Sequence, residues 1–372
     1  MGFLRFYLAL CVVQAHAGNF IPWPVPRGRH AVELFFIVSG FYMAMVLSGR
    51  YRRTADFYRS RWLRIAVPYY WHLAAIVGLS VLAGLLFSQW LSLAAWADQP
   101  FARNGAAGVL LAGLTNLTIF GQDAVLYLRD NLETGLRPTG SFASHADPLY
   151  VYLVMPQCWS VAIELVFYLV VPFLNRLRTR SLVALLSVSV FMRLAAYRWG
   201  GLDHDPWVYR FLPFELAFFL AGMLGWRILS AWKGGKIPGS MTSWPVYLLL
   251  CAGVIATGWL FRVLYNASWS YPGEAYAGFF LCLLSAPLIV LLFVATSAHP
   301  FDRVIGELSY PIYLNHLFFI VAARVLGDSL YPQAWSGLIA GLSSIAAAAL
   351  FWHFILRRFE EKRHRMFGLQ PA

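Results

Sequence analysis

The chain has 372 residues, of which 60% are hydrophobic and only 12% are charged. Its mean hydropathy is far above that of a soluble domain of this length, which excludes a soluble globular protein and predicts an all-α integral membrane protein. The net charge of +12 does not indicate a nucleic-acid partner, because the basic residues stand in short clusters between apolar runs, where they act as topology signals.

Ten apolar runs are long enough, or nearly so, to cross a hydrocarbon core of about 30 Å as helices. We predict spans at 3–20, 30–48, 63–88, 157–175, 181–199, 211–229, 244–265, 275–296, 307–326 and 336–357. Most basic residues fall into the connectors of one side, notably the six arginines from Arg50 to Arg64. By the positive-inside rule that side is cytoplasmic, together with both termini. We expect a single transmembrane domain over 1–372, without an appended soluble domain.

The region from 89 to 156 contains one further apolar run, at 105–121. An eleventh crossing there would move the basic residues 176–180 to the outside, against the positive-inside rule. We therefore predict a re-entrant or surface helix on the outer side. The polar stretch 122–148 that follows is the longest extramembrane loop, and we expect it to cover a site from outside.

The first apolar run contains Arg5 and His16, eleven residues apart. Eleven helical steps return to within about 20° of the starting direction and rise by about 16 Å, so both side chains share one helix face. His16 then lies roughly half a bilayer from Arg5, where an ionisable group normally faces the protein interior or an aqueous cavity. A cap on the helix end is the structural alternative for His16. A secretory signal ending in "AHA" at 15–17 is the alternative for the run, which we expect to be retained.

The second and third runs have charged residues at their starts. His30 and Glu33 open the second run, and "RSRWLR" at 59–64 opens the third. Arg61 and Arg64 are three residues apart and therefore lie on one helix face. Two adjacent guanidinium groups form planar forks that suit phosphate oxygens, although membrane topology by itself also accounts for a basic loop.

The fourth span carries a carboxylate at membrane depth. The stretch "CWSVAIELVFYLVVP" at 158–172 places Glu164 about a third of the way into the span, with Ser160 four residues earlier on the same face. Three interpretations fit a carboxylate there. It orients an imidazole, takes a proton from a hydroxyl, or neutralises a buried arginine such as Arg193 or Arg210.

The ninth span has Asn315 and His316 near its middle. An intramembrane histidine is a candidate site residue, and a hydrogen bond to a neighbouring helix is the structural alternative. All four cysteines lie in or beside apolar runs, so we expect neither disulfides nor a metal site. Cys158 is the one cysteine close enough to a motif to be considered as a nucleophile.

Five motifs, taken in order, resemble those of the membrane-bound acyltransferase-3 family. They are Arg5 with His16, "ELFFIVSGF" at 33–41, "RSRWLRIAVPYY" at 59–70, "CWSVAIELVFYLVVP" at 158–172 and "LSYPIYLNH" at 308–316. The resemblance covers nearly the whole chain, in the content of the motifs and in their order. His30 is a departure, because family members often have glycine at this position.

The resemblance implies transfer of an acyl group, commonly acetyl, from cytoplasmic acyl-coenzyme A to a hydroxyl of a carbohydrate or glycolipid at the outer side of a cell membrane, such as a bacterial inner membrane. It implies catalytic roles for His16 and Glu164, and donor binding by Arg5, Arg61 and Arg64. Supporting positions in the same motifs are Glu33, Ser39, Trp159, Ser160, Asn315 and His316. Acyl-coenzyme A would be a co-substrate, and no metal is expected.

Two chemical routes and two other function classes remain open from the sequence. His16 would act as a general base or would itself carry the acyl group, with Glu164 or Glu33 fixing its tautomer. A transporter or flippase for a glycan or acyl donor is the first rival, and a non-enzymatic scaffold for glycan assembly is the second. Transporters often have two halves related by a repeat, and the sequence shows no internal repeat. An enzyme would consume acyl-coenzyme A in detergent, where a transporter has no gradient.

Overall fold

The computed structural model describes residues 1–49, 51, 53–142, 148–232, 243–266, 273–327 and 330–368. Arg50, Arg52 and part of the predicted 122–148 loop, residues 143–147, therefore lie outside the described residues. The α-helices are α1 Gly2–Ala17, α2 Gly28–Leu47, α3 Thr54–Phe87, α4 Ala94–Ala97, α5 Pro100–Arg103, α6 Ala106–Thr118, α7 Trp159–Leu174, α8 Thr179–Gly200, α9 Trp207–Arg210, α10 Leu212–Trp232, α11 Trp244–Asn266, α12 Gly273–Leu284, α13 Ala286–Thr296, α14 Pro300–Glu307, α15 Ser309–Gly327, α16 Ser336–Phe351 and α17 Arg357–Met366. Two short strands, β1 Leu128–Asn131 and β2 Gly135–Pro138, pair antiparallel.

The helices confirm an all-α membrane protein. Within the described residues, nine helical segments are long and apolar enough to cross a membrane: α2, α3, α7, α8, α9 with α10, α11, α12 with α13, α14 with α15, and α16 with α17. Each coincides with a predicted span. The first predicted span is α1, an apolar helix of 16 residues. Its buried side chains, including Leu8, Cys11 and Val12, pack inside the bundle, so the segment is part of the core.

Successive long helices run in alternating directions. We call the end of the bundle that carries Arg5, Arg61, Arg64, Arg303 and Arg363 the basic end, and the other the opposite end. The backbone N–H of Gly2 donates to Asp302 at 2.6 Å, which places the start of α1 beside α14. Arg363 donates to Ser60 at 2.5 Å, which places α17 beside the start of α3. The start of α1 and the helix α17 therefore both lie at the basic end.

Backbone contact between α2 and α10 ties the centre of the bundle together. A Cβ atom added to Gly40 would collide with the carbonyl of Phe219, and one added to Gly222 would collide with the carbonyl of Ile37. Only glycine permits this approach. The rings of Phe167 and Phe219 stack with centroids 4.0 Å apart, so α7 packs on the same pair of helices.

The segment between α3 and α7 enters the bundle from the opposite end and returns to it. α6 is only 13 residues long, and its C-terminal turn meets the middle of α3, where Tyr69 donates to the carbonyl of Asn116 at 2.8 Å. The chain then returns, since the ring of Tyr127 packs 4.9 Å from Trp207 at the start of α9. A helix of this length rises about 20 Å, which is less than a crossing needs. The length of α6 therefore argues against an eleventh crossing and agrees with the predicted re-entrant or surface helix at 105–121.

The orientation of the bundle is testable by cysteine labelling in intact cells, after the four native cysteines have been replaced. We expect Ala55→Cys, exposed at the basic end, to react only after permeabilisation, because the basic connectors favour the cytoplasm. Thr134→Cys, exposed in the hairpin between β1 and β2, should react with an impermeant maleimide in intact cells. The reverse pattern would show that the basic end is external.

Candidate active site

A cavity of about 1060 Å³ extends from the basic end into the bundle between α1, α2, α3, α7, α14, α15 and α17. Its volume is at the upper limit of typical ligand pockets. Charged side chains line its wide part near the basic end: Arg5, Arg61, Arg64, Asp302, Arg303, Glu307, Glu360 and Arg363. Hydroxyl groups and one carboxylate line its deeper part: Ser39, Tyr42, Ser160, Glu164, Tyr168, Tyr310 and Tyr313. The cavity is thus graded from cationic to hydroxyl-rich.

Glu307 brings two of the predicted donor-binding arginines together. Arg64 donates to its two carboxylate oxygens at 2.9 and 3.2 Å, and Arg5 approaches it at 3.7 Å. A second carboxylate, Glu360 of α17, lies 3.5 Å from Arg64. Because both carboxylates are partly buried, these pairs hold the guanidinium planes in place on the cavity wall.

Arg61 lies on the same wall without a carboxylate among its hydrogen-bond partners in the described part of the chain. Its Nη2 donates to the hydroxyl of Tyr51 at 2.9 Å, and its buried Nε has no hydrogen-bond partner among the described residues. Tyr51 in turn donates to Ser60 at 2.9 Å. Arg61 therefore has donor capacity left for an anion in the cavity, as has Arg5, whose buried Nε is also without a hydrogen-bond partner among the described residues.

Several charged cavity residues were missed by sequence reasoning. Arg303 and Arg363 were counted only as topology signals, and Glu307 and Glu360 were not considered. Glu307 directly precedes the "LSYPIYLNH" motif at the mouth of a span, as Glu33 precedes its own apolar run. An acid at the start of an apolar run was therefore the signal that could have identified it.

Glu164 faces hydroxyl groups in the deeper part of the cavity. Its Oε1 accepts hydrogen bonds from Ser39 at 2.5 Å and from Tyr168 at 2.6 Å. Of the three interpretations of this carboxylate, the contacts favour the one in which it takes a proton from a hydroxyl group. The pairing with Arg193 or Arg210 is wrong, because other carboxylates take those arginines.

Arg193 is the centre of a separate buried ion cluster. It donates to Glu33 at 2.7 Å and to Glu215 at 3.1 Å, and all three side chains are almost fully buried. The guanidinium also lies 4.4 Å from the ring centroid of Phe279. Glu33 therefore ties α2 to α8 and α10, outside the residues that line the cavity. The suggestion that Glu33 orients His16 is a prediction that these contacts contradict, since its carboxylate faces Arg193.

The inner end of the cavity is formed by α7 and α15. The hydroxyls of Ser160 and Tyr313 lie 2.7 Å apart, and Tyr313 donates to the carbonyl of Gln157 at 2.7 Å. The neighbouring Trp159 points away from this pair and packs against Arg210, whose guanidinium lies 4.5 Å from the ring centroid. Arg210 donates to Asp205 at 2.6 Å, so this arginine also has its own carboxylate.

His16 lies just beyond this inner end, in the last turn of α1. Its ring centroid is 5.4 Å from that of His316, which is in turn 5.7 Å from Tyr313 of the cavity wall. His16 is exposed at the opposite end, whereas His316 is fully buried. The structure thus brings together two histidines that lie 300 positions apart in the sequence.

Gln14, and not His16, caps the end of α1. Its Oε1 accepts the backbone N–H groups of Phe20 and Ile21 at 2.9 and 2.7 Å, and its Nε2 donates to the carbonyl of Gly18. The capping alternative for His16 is therefore wrong. Arg324 donates to the backbone carbonyl of His16 at 2.8 Å, and the described residues place no hydrogen bond on its imidazole, which is therefore available at the end of the helix.

Two further candidates lie away from the cavity lining. Asn315 donates to the carbonyl of Ser344 at 3.2 Å, so its side chain faces α16. Cys158 is a buried free thiol that does not line the cavity, which agrees with an inert cysteine.

Comparisons with known proteins give a family. A family model described as an acyltransferase domain, of the acyltransferase-3 type, matches residues 1–353. An uncharacterized protein of Aquifex aeolicus (strain VF5) is 25% identical over 197 residues, which cover 51% of this chain and 81% of that protein. No solved structure matches the chain.

The ion cluster predicts a large effect of Arg193 on folding. Arg193→Met leaves two buried carboxylates unpaired, and removing one partner of a buried ion pair typically costs about 3–5 kcal/mol. We expect a low yield of monodisperse protein and a lower melting temperature in detergent. Glu33→Gln and Glu215→Gln added to Arg193→Met should restore part of the loss. Arg198→Met, at an exposed position of the same helix, is the control. A stable Arg193→Met protein would contradict a structural role.

Proposed function

We propose a specific reaction for this chain, which belongs to the acyltransferase-3 family and is a membrane acyltransferase. The chain transfers an acyl group, acetyl in the first instance, from cytoplasmic acyl-coenzyme A to a hydroxyl group of a carbohydrate or glycolipid at the outer side of the cell membrane. The basic end is then cytoplasmic, and the exposed side of His16 faces the acceptor.

The observation that carries the proposal is the graded cavity. Five arginines line it near the basic end, and its inner end reaches Tyr313, whose ring lies 5.7 Å from that of His316. Coenzyme A has the corresponding gradient, since its charged phosphates are at one end and its thioester is at the tip of a long, mostly uncharged arm. Its size suits a cavity of about 1060 Å³ that is open to the donor's side.

The arginines divide the work of donor binding. Arg61 has unused donors on the cavity wall and is the residue that we assign to a donor phosphate. Arg5 and Arg64 are held by Glu307, so they place positive charge at a fixed position and stay ordered when the cavity is empty of donor. Deeper in the cavity, Glu164 holds the hydroxyls of Ser39 and Tyr168 in one orientation along the path of the arm.

The chemistry takes place at His16. Its neutral imidazole removes the proton of the acceptor hydroxyl while the hydroxyl oxygen attacks the thioester carbonyl. The carbon–sulfur bond breaks, and the coenzyme A thiolate receives the proton from the imidazolium. In the alternative route, the His16 imidazole first attacks the thioester and takes the acyl group, releasing coenzyme A. The acceptor hydroxyl then attacks this acyl-imidazole and regenerates His16.

Replacing His16 separates donor binding from transfer. We expect His16→Gln to fold and to bind acyl-coenzyme A with near-normal affinity, because the arginines at the basic end are unchanged. Transfer to acceptor should fall by at least about 10²-fold, the smaller loss typical of a missing general base. His353→Gln, at an exposed position away from the cavity lining, is the matched control. Transfer by His16→Gln at more than about a tenth of the normal rate would move the base assignment to Glu164.

Replacing Arg61 tests the donor site by itself. Lysine keeps the charge required by membrane topology but loses the planar fork, so Arg61→Lys should insert normally and bind coenzyme A about tenfold or more weakly. Calorimetric titration of the purified protein with coenzyme A measures the effect. Arg357→Lys, an exposed arginine of α17, should leave the affinity unchanged. Equal affinities of the Arg61→Lys and wild-type proteins would reduce Arg61 to a topology signal.

A further inference from the structure

We propose that His316 is a positioning residue for His16, and that a ring-to-ring hydrogen bond between them determines which His16 nitrogen is the base. The inference rests on the proposed role of His16 and adds a partner that the sequence motifs leave unassigned. It is carried by three observations: a defined tautomer of His316, a buried acceptor nitrogen, and the neighbouring ring of His16.

The tautomer of His316 follows from its contact with the backbone. Nδ1 lies 2.8 Å from the carbonyl oxygen of Tyr313. A carbonyl oxygen only accepts hydrogen bonds, so Nδ1 must carry the hydrogen. In the neutral ring, Nε2 is then a bare acceptor. The backbone of α15 thus decides which nitrogen of His316 is available.

The available nitrogen has no hydrogen-bond partner within the described part of the chain. His316 is 0% exposed, and its Nε2 is a buried atom without such a partner. Buried polar atoms are nearly always hydrogen-bonded, because an unpaired one loses its water without compensation. Nε2 therefore requires an N–H donor, and the imidazole of His16 lies nearby, with its ring centroid 5.4 Å from that of His316.

Three polar side chains near the two rings have hydrogen-bond partners of their own. Arg324 donates to the backbone carbonyl of His16, and Arg210 donates to Asp205. The hydroxyl of Tyr313 donates to the carbonyl of Gln157. Rotation of the exposed His16 ring would supply the N–H, since histidine χ2 rotates over a broad range.

The hydrogen bond has a defined effect on the reaction. One nitrogen of His16 keeps its hydrogen and donates it to His316, so the other nitrogen has the lone pair that removes the acceptor proton. When His16 becomes an imidazolium, the same bond strengthens, because its donor is then charged. An orienting partner acts in this way in the Ser-His-Asp triad, where it is a carboxylate. His316 is fully buried, and a neutral imidazole can be buried there without the free-energy cost of an isolated charge such as a carboxylate.

Substitution of His316 by the two amides separates positioning from packing. The amide of glutamine reaches the place of Nε2 and can accept from His16, whereas the shorter asparagine reaches only the place of Nδ1 and can bind Tyr313 alone. We expect His316→Gln to stay within about tenfold of the wild-type kcat and His316→Asn to lose about 10²-fold or more, with unchanged donor affinity and KM in both. Equal activity of the two variants, or a loss confined to KM or stability, would overturn the inference.

The hydrogen bond can also be observed directly in the unmodified protein. Nitrogen-15 labelling of histidine, with solid-state NMR in lipid bilayers, distinguishes protonated from bare ring nitrogens, and His16→Gln assigns the His16 signals by their loss. We expect His16 in one tautomer, with a scalar coupling through the hydrogen bond to Nε2 of His316. A mixture of His16 tautomers without this coupling would overturn the inference even where His316 variants fail to fold.

The outcomes also separate this inference from the proposed function. If His16→Gln retains transfer, His16 is not the base, and the NMR coupling would still report the pairing of the rings. If His16→Gln is inactive while His316→Asn is fully active, the proposed function stands and the positioning role is wrong.

Discussion

A charged side chain inside a membrane protein needs an opposite charge or several hydrogen-bond donors, and this constraint arranges the polar interior of the molecule. Arg193 meets it with two carboxylates at the junction of α2, α8 and α10. Arg64 meets it with Glu307 on the cavity wall, and Glu164 meets it with two hydroxyl groups. Glu33, Glu215 and Glu307 thus face arginines, whereas Glu164 faces hydroxyl groups. The cluster at Arg193 joins three helices away from the cavity, and Glu307 and Glu164 lie on the cavity wall.

The backbone contact of α2 with α10 determines where the cavity can form. Gly40 gives α2 a close approach to α10, and Ser39, the preceding residue, lies about 100° further round the helix and faces the cavity. One face of α2 is therefore closed by packing, and another is available for polar side chains. In the proposed reaction this geometry keeps the donor arm between α2, α7 and α15, while the end of α6 contacts α3 at the buried Tyr69.

Much of the fold could be predicted from the sequence, because hydrophobic length reports membrane crossings one helix at a time. The ten spans and the re-entrant segment were predicted in this way, and the spacing of Arg5 and His16 placed these residues at the two ends of one helix face. The partner of Glu33 could not be predicted. Its carboxylate pairs with Arg193 of α8, 160 positions away in the sequence. The periodicity of α2 predicts which of its faces is buried but does not predict which helix packs against that face.

By itself the sequence determined the architecture class, the helix that carries His16 and the polar residues at membrane depth. A backbone in lipid must satisfy its own hydrogen bonds, so long apolar runs predict helices, and the rare ionisable side chains within those runs can be read directly from the sequence. Only the tertiary structure decided which of these polar side chains contact one another. It joined His16 to His316 and Arg5 and Arg64 to Glu307, and it gave the end cap of α1 to Gln14. The reason is physical: hydrogen bonds and ion pairs act over a few ångströms, so they depend on which helices are neighbours in space.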